Sequence, residues 1–248
     1  MAQQIIETLD KLNEGRVKIN DNFTEIYNQS GHASYADNVY TDVNPFILSA
    51  NTDTVLPING GVVYDSEKPT DVNEFYYSGG LDLSSIVGTF LIDETITGGT
   101  SGTTAKIREI GVSNIEFLGN TGSFTTTETI TGATSGATAT INTIRSGYIT
   151  GRNNDNLDVM IYFKSVPSGV SQYLDIWINI GGVVGELYRD TKSYPKGSGV
   201  ERGILYALPS AYTRSTWENN GGTIYVRSDA SLEIYGINAN FDRSYKAR

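Results

Sequence analysis

The sequence contains no cysteine, a single histidine and no long apolar run. Without cysteine the fold cannot depend on disulfide bonds, and one histidine alone excludes the usual zinc ligand sets and disfavours a histidine-dependent catalytic triad. No stretch of about 18 apolar residues is present, so we expect no membrane insertion. The first residues show neither the basic region nor the apolar core of a signal peptide, which indicates synthesis in a cytoplasm.

Basic residues are also scarce, with 18 Lys and Arg against 28 Asp and Glu, for a net charge of −10. This balance argues against nucleic acid and anionic membranes as partners. What is abundant is glycine (27 residues) and tyrosine (16 residues), which suits many short strands joined by tight turns. A chain of 248 residues can form one large β-sandwich or two modest domains.

The N-terminal segment is the one stretch with a helical period. Its apolar residues follow steps of four and three, a heptad seam interrupted by Arg16. The seam residues are Ile5, Leu9, Leu12, Ile19, Phe23 and Ile26. A lone helix of this length is marginal in water, so we predict that residues 1–32 form a helical segment that associates with its own copies or docks on a larger assembly. A helix packed on its own domain, or two short helices broken at Gly15, are the alternatives.

Beyond residue 32 the period changes to two. Apolar residues alternate with polar ones from Leu157 to Phe163 and again from Leu174 to Ile180. Further strands are predicted at Pro45–Ser49, Gly61–Tyr64, Phe75–Tyr77, Gly203–Ala207, Thr223–Arg227 and Ser231–Phe241. The pattern predicts a mainly β protein, with a jelly-roll-like β-sandwich head over residues 33–248.

An internal repeat interrupts these strands. Residues 94–105 (ETITGGTSGTTA) match residues 128–139 (ETITGATSGATA) at an offset of 34, that is, 128 minus 94. Each copy predicts two strands joined by a glycine-containing turn. Two copies are too few for a solenoid, so we interpret residues 88–147 as a pair of β-hairpins inserted into the larger domain. Three consecutive domains are the alternative.

Candidate catalytic groups are few. No phosphate-binding or dinucleotide-binding fingerprint is present. A glycoside hydrolase needs two carboxylates, for which the candidates are Asp155, Asp158, Asp175 and Glu186. Such residues are equally expected on the turns and solvent faces of an acidic protein. The oxygen-rich run 152–158 suits either Ca²⁺ or an Asx-rich turn, and we favour the turn. We therefore predict no catalytic residues, no metal and no cofactor.

Aromatic residues of the C-terminal half give the stronger functional signal. They lie beside polar, proline-containing or glycine-containing segments, where a ring offers apolar area and its neighbours offer hydrogen bonds. The candidate receptor contacts are Tyr188, Tyr194, Tyr212 and Trp217. Burial within the domain or between subunits is the alternative for each of them.

Three segments carry a resemblance to known proteins. Leu12–Tyr27 (LNEGRVKINDNFTEIY) resembles the N-terminal segment of phage tail-fibre proteins, and the repeat resembles segments of phage structural proteins. Ile234–Arg248 (IYGINANFDRSYKAR) is similar to the closing strand of fibre proteins from marine and cyanobacterial phages. The resemblance implies a homotrimeric virion fibre or spike with an N-terminal attachment segment and a distal head.

Its implied partners are further copies of itself, other virion proteins of tail, neck or capsid, and a host-surface glycan or protein. The expected function is host-surface adhesion. A decoration protein that reinforces the particle without a receptor, and a glycan hydrolase, are the alternatives.

Overall fold

The structure is a computed structural model that describes residues 30–36, 39–58, 62–64, 76–151, 153–195 and 197–244. Within these ranges the chain forms sixteen strands and one short helix. The elements are β1 (Ser30–Ala36), β2 (Phe46–Leu48), β3 (Thr54–Val55), β4 (Val62–Tyr64), β5 (Tyr76–Val87), β6 (Thr95–Gly98), β7 (Thr104–Ile110), β8 (Asn114–Leu118), β9 (Thr129–Gly132), β10 (Thr138–Ile149), β11 (Asn156–Pro167), β12 (Gln172–Asn179), β13 (Glu186–Tyr194), β14 (Arg202–Tyr212), α1 (Ser215–Asn220), β15 (Thr223–Ser228) and β16 (Leu232–Ser244).

The predicted helical segment 1–32 falls almost wholly outside the described residues. Where it enters them it needs a correction, because residues 30–32, including His32, begin strand β1 rather than end a helix. Strand β1 lies between β16 and β4, and Ser30 is paired with Ser244. Pairing on both sides supplies partners for its backbone hydrogen bonds, which explains why this segment is extended.

Two antiparallel sheets pack around one apolar core. The larger sheet has the order β14-β11-β16-β1-β4, with β2 also paired to β16, and the smaller has the order β13-β12-β15-β3. The alternating residues Leu157 to Phe163 on β11 and Leu174 to Ile178 on β12 point into this core and are fully buried. A face that alternates with period two buries every second side chain, and the prediction of a mainly β sandwich protein is confirmed.

Strands β5 to β10 form a closed six-stranded barrel in the order β10-β5-β8-β7-β6-β9. The barrel has its own core, built around Leu81, Ile96, Ile107, Ile130 and Ile141. Its first residue, Tyr76, is paired with its last, Ile149, so the chain enters and leaves the barrel at one point. The repeat copies are therefore not two separate hairpins. They close into one barrel with β5 and β8, and the barrel extends beyond the predicted bounds 88–147.

The barrel has an internal two-fold pseudosymmetry that follows the repeat. Thr97 is paired with Thr131 between β6 and β9, and Leu81 is paired with Ile115 between β5 and β8. Both pairs join residues 34 apart, so each lies on the pseudo-two-fold axis. The register irregularity in the β7–β8 pair recurs at the equivalent position of the β10–β5 pair. The repeat unit is thus three strands, β5-β6-β7 and then β8-β9-β10.

A buried glutamate of each copy holds the turn of the other copy. The Glu128 carboxylate accepts hydrogen bonds from the backbone N–H groups of Thr100 (3.0 Å), Ser101 (2.9 Å) and Thr125 (2.7 Å). It also accepts one from the Ser101 hydroxyl at 2.9 Å. A Cβ on Gly98 would lie 2.6 Å from the same carboxylate, which explains why glycine precedes the turn.

Glu94 of the first repeat makes the equivalent contacts with the turn of the second repeat. Its carboxylate accepts from the backbone of Leu91, Thr134 and Ser135 and from the Ser135 hydroxyl, at 2.7–3.1 Å. Burial alone would raise the pKa of both glutamates, but these hydrogen bonds outweigh it and hold each pKa below the ordinary value. The Glu and Ser residues that the two repeats share therefore form two equivalent sets of charge-assisted hydrogen bonds, each of which joins one repeat to the other. We call this arrangement the reciprocal glutamate clamp.

Candidate functional site

The barrel joins the sandwich beside the short helix α1. Strand β10 ends at Ile149, whose N–H and C=O both bond to the backbone of Gly222, the residue before β15. The indole N–H of Trp217, the buried residue of α1, donates to the same Ile149 carbonyl at 3.1 Å. Burying an indole favours a partner for its N–H, and here that bond fixes the helix against the barrel exit.

Close packing at this junction requires glycine. Gly221 ends α1 with φ of 70°, and a Cβ there would lie 2.6 Å from the Tyr148 ring. The ψ of 175° at Gly221, combined with its positive φ, is a backbone conformation that essentially only glycine adopts. The ring of Tyr148 in turn contacts the ring of Tyr77 at a centroid distance of 5.4 Å.

A polar cavity of about 340 Å³ opens between these elements. Its walls come from the end of β10, from the loop after it, from α1 and from the start of β15. The side chains with hydrogen-bonding capacity are Arg145, Ser146, Tyr148, Thr150, Glu218, Asn219, Asn220 and Thr223. We call this cavity the junction pocket. Its volume falls at the lower end of the range for small-ligand sites, about 300–1,000 Å³.

Arg145 is held in place by two carboxylates on neighbouring strands of the barrel, Glu116 of β8 and Asp82 of β5. Its guanidinium pairs with the buried Glu116, and its Nε lies 3.3 Å from Asp82. Burial raises the pKa of Glu116, against the lowering effects of the Arg145 charge and hydrogen bond. Burial also raises the pKa of Tyr148, and the nearby negative charge of Glu116 adds to this effect. At neutral pH the phenol is therefore a neutral hydroxyl beside a fixed cation.

The junction pocket combines a half-buried tyrosine, one guanidinium, one carboxylate and two amides. Asn219 and Glu218 are exposed, whereas Arg145 and Tyr148 are fixed by their partners. Several donors and acceptors around the edge of a ring form the surface that suits the hydroxyl groups and apolar face of a sugar.

The predicted receptor contacts do not come together. Tyr188 lies in β13 and Tyr212 ends β14, and both are about half exposed. Tyr194 and Trp217 need a correction, because both are buried: the Tyr194 hydroxyl bonds to Ser165 at 2.7 Å, and Trp217 anchors α1. Neither ring is available to a receptor, although Trp217 positions the helix that lines the junction pocket. The predicted seam from Ile5 to Ile26 lies outside the described residues.

Three of the carboxylates considered for catalysis, those of Asp158, Asp175 and Glu186, have structural partners. Asp175 and Glu186 both pair with Arg189, whose guanidinium covers the Trp177 ring at 4.1 Å. Asp158 accepts from the backbone of Ser210, and the Asp155 carbonyl accepts from Thr213.

The oxygen-rich segment forms a turn at Asn153 and Asn154. The side chain of Asn154 accepts a hydrogen bond from the Tyr212 hydroxyl. Among the described residues, no group of three or more His, Cys, Asp or Glu side chains is arranged to hold a metal. No helix in the described part of the chain has the length and apolar character needed to cross a membrane.

Sequence reasoning missed Arg145, Tyr148 and Glu116. The signal that could have pointed to them is the repeat itself. Arg145 stands at the position equivalent to Gly111, so the two repeats differ here by a large charged side chain. A departure from the repeat at its last strand marks the place where the barrel meets the rest of the chain.

Comparisons with known proteins give no family. No protein-family model matches the chain, and no curated protein matches it. The CBM22-1 and GH10 modules of Clostridium thermocellum endo-1,4-β-D-xylanase 10B, solved in complex with xylohexaose, are 11% identical with a TM-score of 0.24. That alignment covers 71% of this chain and 27% of the xylanase chain, so this chain spans about a quarter of its length.

Two particle structures of infectious bursal disease virus are similarly distant. One is 11% identical with a TM-score of 0.24, and the alignment covers 88% of this chain and 73% of the viral chain. The other, from the Gx strain, is 8% identical with a TM-score of 0.21, with 88% and 76% covered. At these scores none of the three supports an inference about this chain.

Proposed function

We propose that the chain is a structural, non-enzymatic protein of a bacteriophage particle, a fibre or spike that carries a carbohydrate-binding pocket for the host surface. The observation that carries the adhesive role is the junction pocket, in which a clamped Arg145 and Tyr148 face the exposed Glu218 and Asn219. The virion assignment rests on the resemblance of both chain ends and of the repeat to phage structural proteins. The sandwich is then the distal jelly-roll-like head.

The same proposal assigns attachment and assembly to the N-terminal segment. Its heptad seam of Ile, Leu and Phe suits a trimer, and its docking partner is another virion protein of tail, neck or capsid. Native mass spectrometry at micromolar concentration should show a homotrimer. Detection of monomer alone would refute this part.

The pocket is tested by binding to a glycan array, using the full-length protein. Replacing Glu218 and Asn219 together, as Glu218→Gln and Asn219→Ala, removes two exposed pocket groups without disturbing the Arg145 clamp. We expect at least a ten-fold loss of affinity for any glycan the wild type binds, and no loss in a Thr126→Ala control on the barrel surface. A wild type that binds no glycan, or a double variant that binds equally well, would refute the adhesive role.

A decoration protein without a receptor is the second candidate. It is favoured by the exposed apolar residues at one end of the barrel, among them Val87 and Val112, which suit a protein neighbour. Glycan-array binding separates the two candidates, and release of reducing sugar from a bound glycan would indicate a hydrolase instead.

A further inference from the structure

The pseudosymmetry of the barrel makes each surface of one repeat copy comparable with the same surface of the other. The second copy meets the sandwich within the same chain. The first copy presents its equivalent surface to solvent. Differences between equivalent residues therefore indicate what each surface is used for.

A groove occurs at both equivalent places. On the first copy it is a cavity of about 170 Å³ lined by residues that include Leu83, Phe90 and Ile110. On the second copy it is a cavity of about 200 Å³ lined by their equivalents Phe117, Phe124 and Ile144, each 34 positions later. We call them the open groove and the covered groove.

An extended apolar segment of the sandwich forms the opposite wall of the covered groove. This segment is 55–58, of sequence Val-Leu-Pro-Ile, which begins at the last residue of β3. Leu56 and Ile58 are each 2% exposed, and they share a core with Leu118 of the second copy. The backbone N–H of Leu56 bonds to Ile224, so the segment is fixed to the sandwich.

No described segment of the chain forms such a wall over the open groove, yet the surroundings of this groove are the more apolar of the two. The groove-lining residues Ile86 and Val112, and the residues Val87, Leu91 and Ile92 within two positions of its lining in sequence, are 41% to 100% exposed. Their equivalents in the second copy are all polar, namely Asn120, Thr121, Thr125, Thr126 and Ser146. Four of these equivalents, Thr121, Thr125, Thr126 and Ser146, are exposed, so the same backbone positions face water with polar side chains in the second repeat and packing within the chain does not account for the aliphatic residues of the first.

We propose that the open groove binds a short extended apolar segment of another protein chain. The chemistry of the occupant follows from the covered groove, where Leu56 and Ile58 supply alternate apolar side chains. The barrel is closed, so the partner cannot add a strand to it, and side-chain burial must carry the affinity.

A short segment also fits the size of the apolar patch better than the same patch of a second molecule of this chain does. Five aliphatic side chains make a patch in the range of about 300–600 Å². Patch-to-patch contact of two molecules of this chain would bury at most about 1,200 Å² in total, which only reaches the lower end of the range for a stable interface, about 1,200–2,000 Å². This inference is independent of the junction pocket and of the proposed adhesive role.

The test uses the chain's own covering segment as the probe. A synthetic peptide of residues 51–60 (NTDTVLPING) is titrated into the ¹⁵N-labelled full-length protein and followed by NMR. We expect saturable shifts at Val87, Ile110 and Val112. Val112→Ser, at a fully exposed position that cannot unfold the barrel, and Ile86→Asn should together weaken binding at least ten-fold. A peptide with serine at positions 56 and 58 should not bind.

Thr126→Ala, at the polar equivalent of Ile92, is the matched control and should bind like the wild type. Three results would overturn the proposal: no saturable shift at millimolar peptide, shifts confined to the covered groove, or binding unchanged by the two groove substitutions. Self-association of the protein that is lost in Val112→Ser would also overturn the proposal, because the occupant of the open groove would then be a second molecule of this chain. Analytical ultracentrifugation measures that outcome directly.

Discussion

The reciprocal glutamate clamp makes a quantitative prediction about the barrel. Glu128→Ala removes the acceptor of four hydrogen bonds, three from backbone N–H groups and one from the Ser101 hydroxyl. Hydrogen bonds to a charged group contribute about 1.5–3 kcal/mol each, but they are not additive. Thr100, Ser101 and Thr125 are exposed, so water can satisfy part of what is lost. We therefore expect a loss of about 3 kcal/mol in the free energy of unfolding of the barrel.

The assay must distinguish the barrel from the sandwich. Trp177 lies in β12 of the sandwich and Trp217 in α1 at the barrel exit, so their fluorescence cannot separate the barrel from the sandwich. Hydrogen exchange of peptides from 94–141, measured by mass spectrometry, reports on the barrel core. We expect its slowest amides to exchange about 100-fold faster in Glu128→Ala, since 1.4 kcal/mol is a factor of ten.

Pseudosymmetry supplies the internal check. Glu94→Ala should have the same effect within about 0.5 kcal/mol, because its carboxylate accepts the equivalent four bonds. Glu233→Ala, at an exposed position of β16, is the control and should leave exchange unchanged. A barrel whose slow amides are unaffected by Glu128→Ala would refute the clamp.

Three further predictions concern the same architecture. The folded pKa values of Glu94 and Glu128 are lowered, so their ionised carboxylates stabilise the folded barrel fully above about pH 4.3, the pKa of glutamate in an unfolded chain. This stabilisation is lost as the pH falls through the folded pKa values. Titration with acid followed by circular dichroism should therefore show the barrel unfolding before the sandwich. Gly98→Ala should destabilise the barrel by about 2 kcal/mol in urea denaturation, whereas Gly99→Ala should be tolerated, because the second copy carries alanine at that position. Replacing residues 77–148 by a short glycine linker should leave the sandwich folded with native tryptophan fluorescence, since Tyr76 and Ile149 are already paired; an insoluble or unfolded product would indicate interdependent units.

The strands and the existence of the repeat could be predicted from the sequence, because both depend on local patterns. Period-two alternation identified β11 and β12, and the repeated letters identified the modules of the barrel. Closure of the barrel could not be predicted, because it depends on the pairing of β5 with β10 and β8, which involves residues outside the conserved letters. The role of the repeated Glu and Ser could not be predicted either, because their hydrogen bonds join the two repeats and depend on how the repeats pack.

The candidate site was the least predictable part. Aromatic side chains beside polar turns look alike in sequence whether they face water, as Tyr212 does, or fill a core, as Trp217 does. Burial is decided by which strands pack together, and the helix around Trp217 becomes a core element only because the barrel exit lies against it. Arg145 is positioned by an ion pair with Glu116, which lies 29 residues earlier, and a pattern of neighbouring residues cannot predict such a contact.

The most direct test of the proposed function is to locate the chain in purified phage particles by electron microscopy with an antibody fragment raised against the sandwich. We expect the label on the outside of intact particles, at a defined site on the tail, neck or capsid. Particles that lack the chain, or that bind the label only after disruption, would contradict a virion fibre or spike.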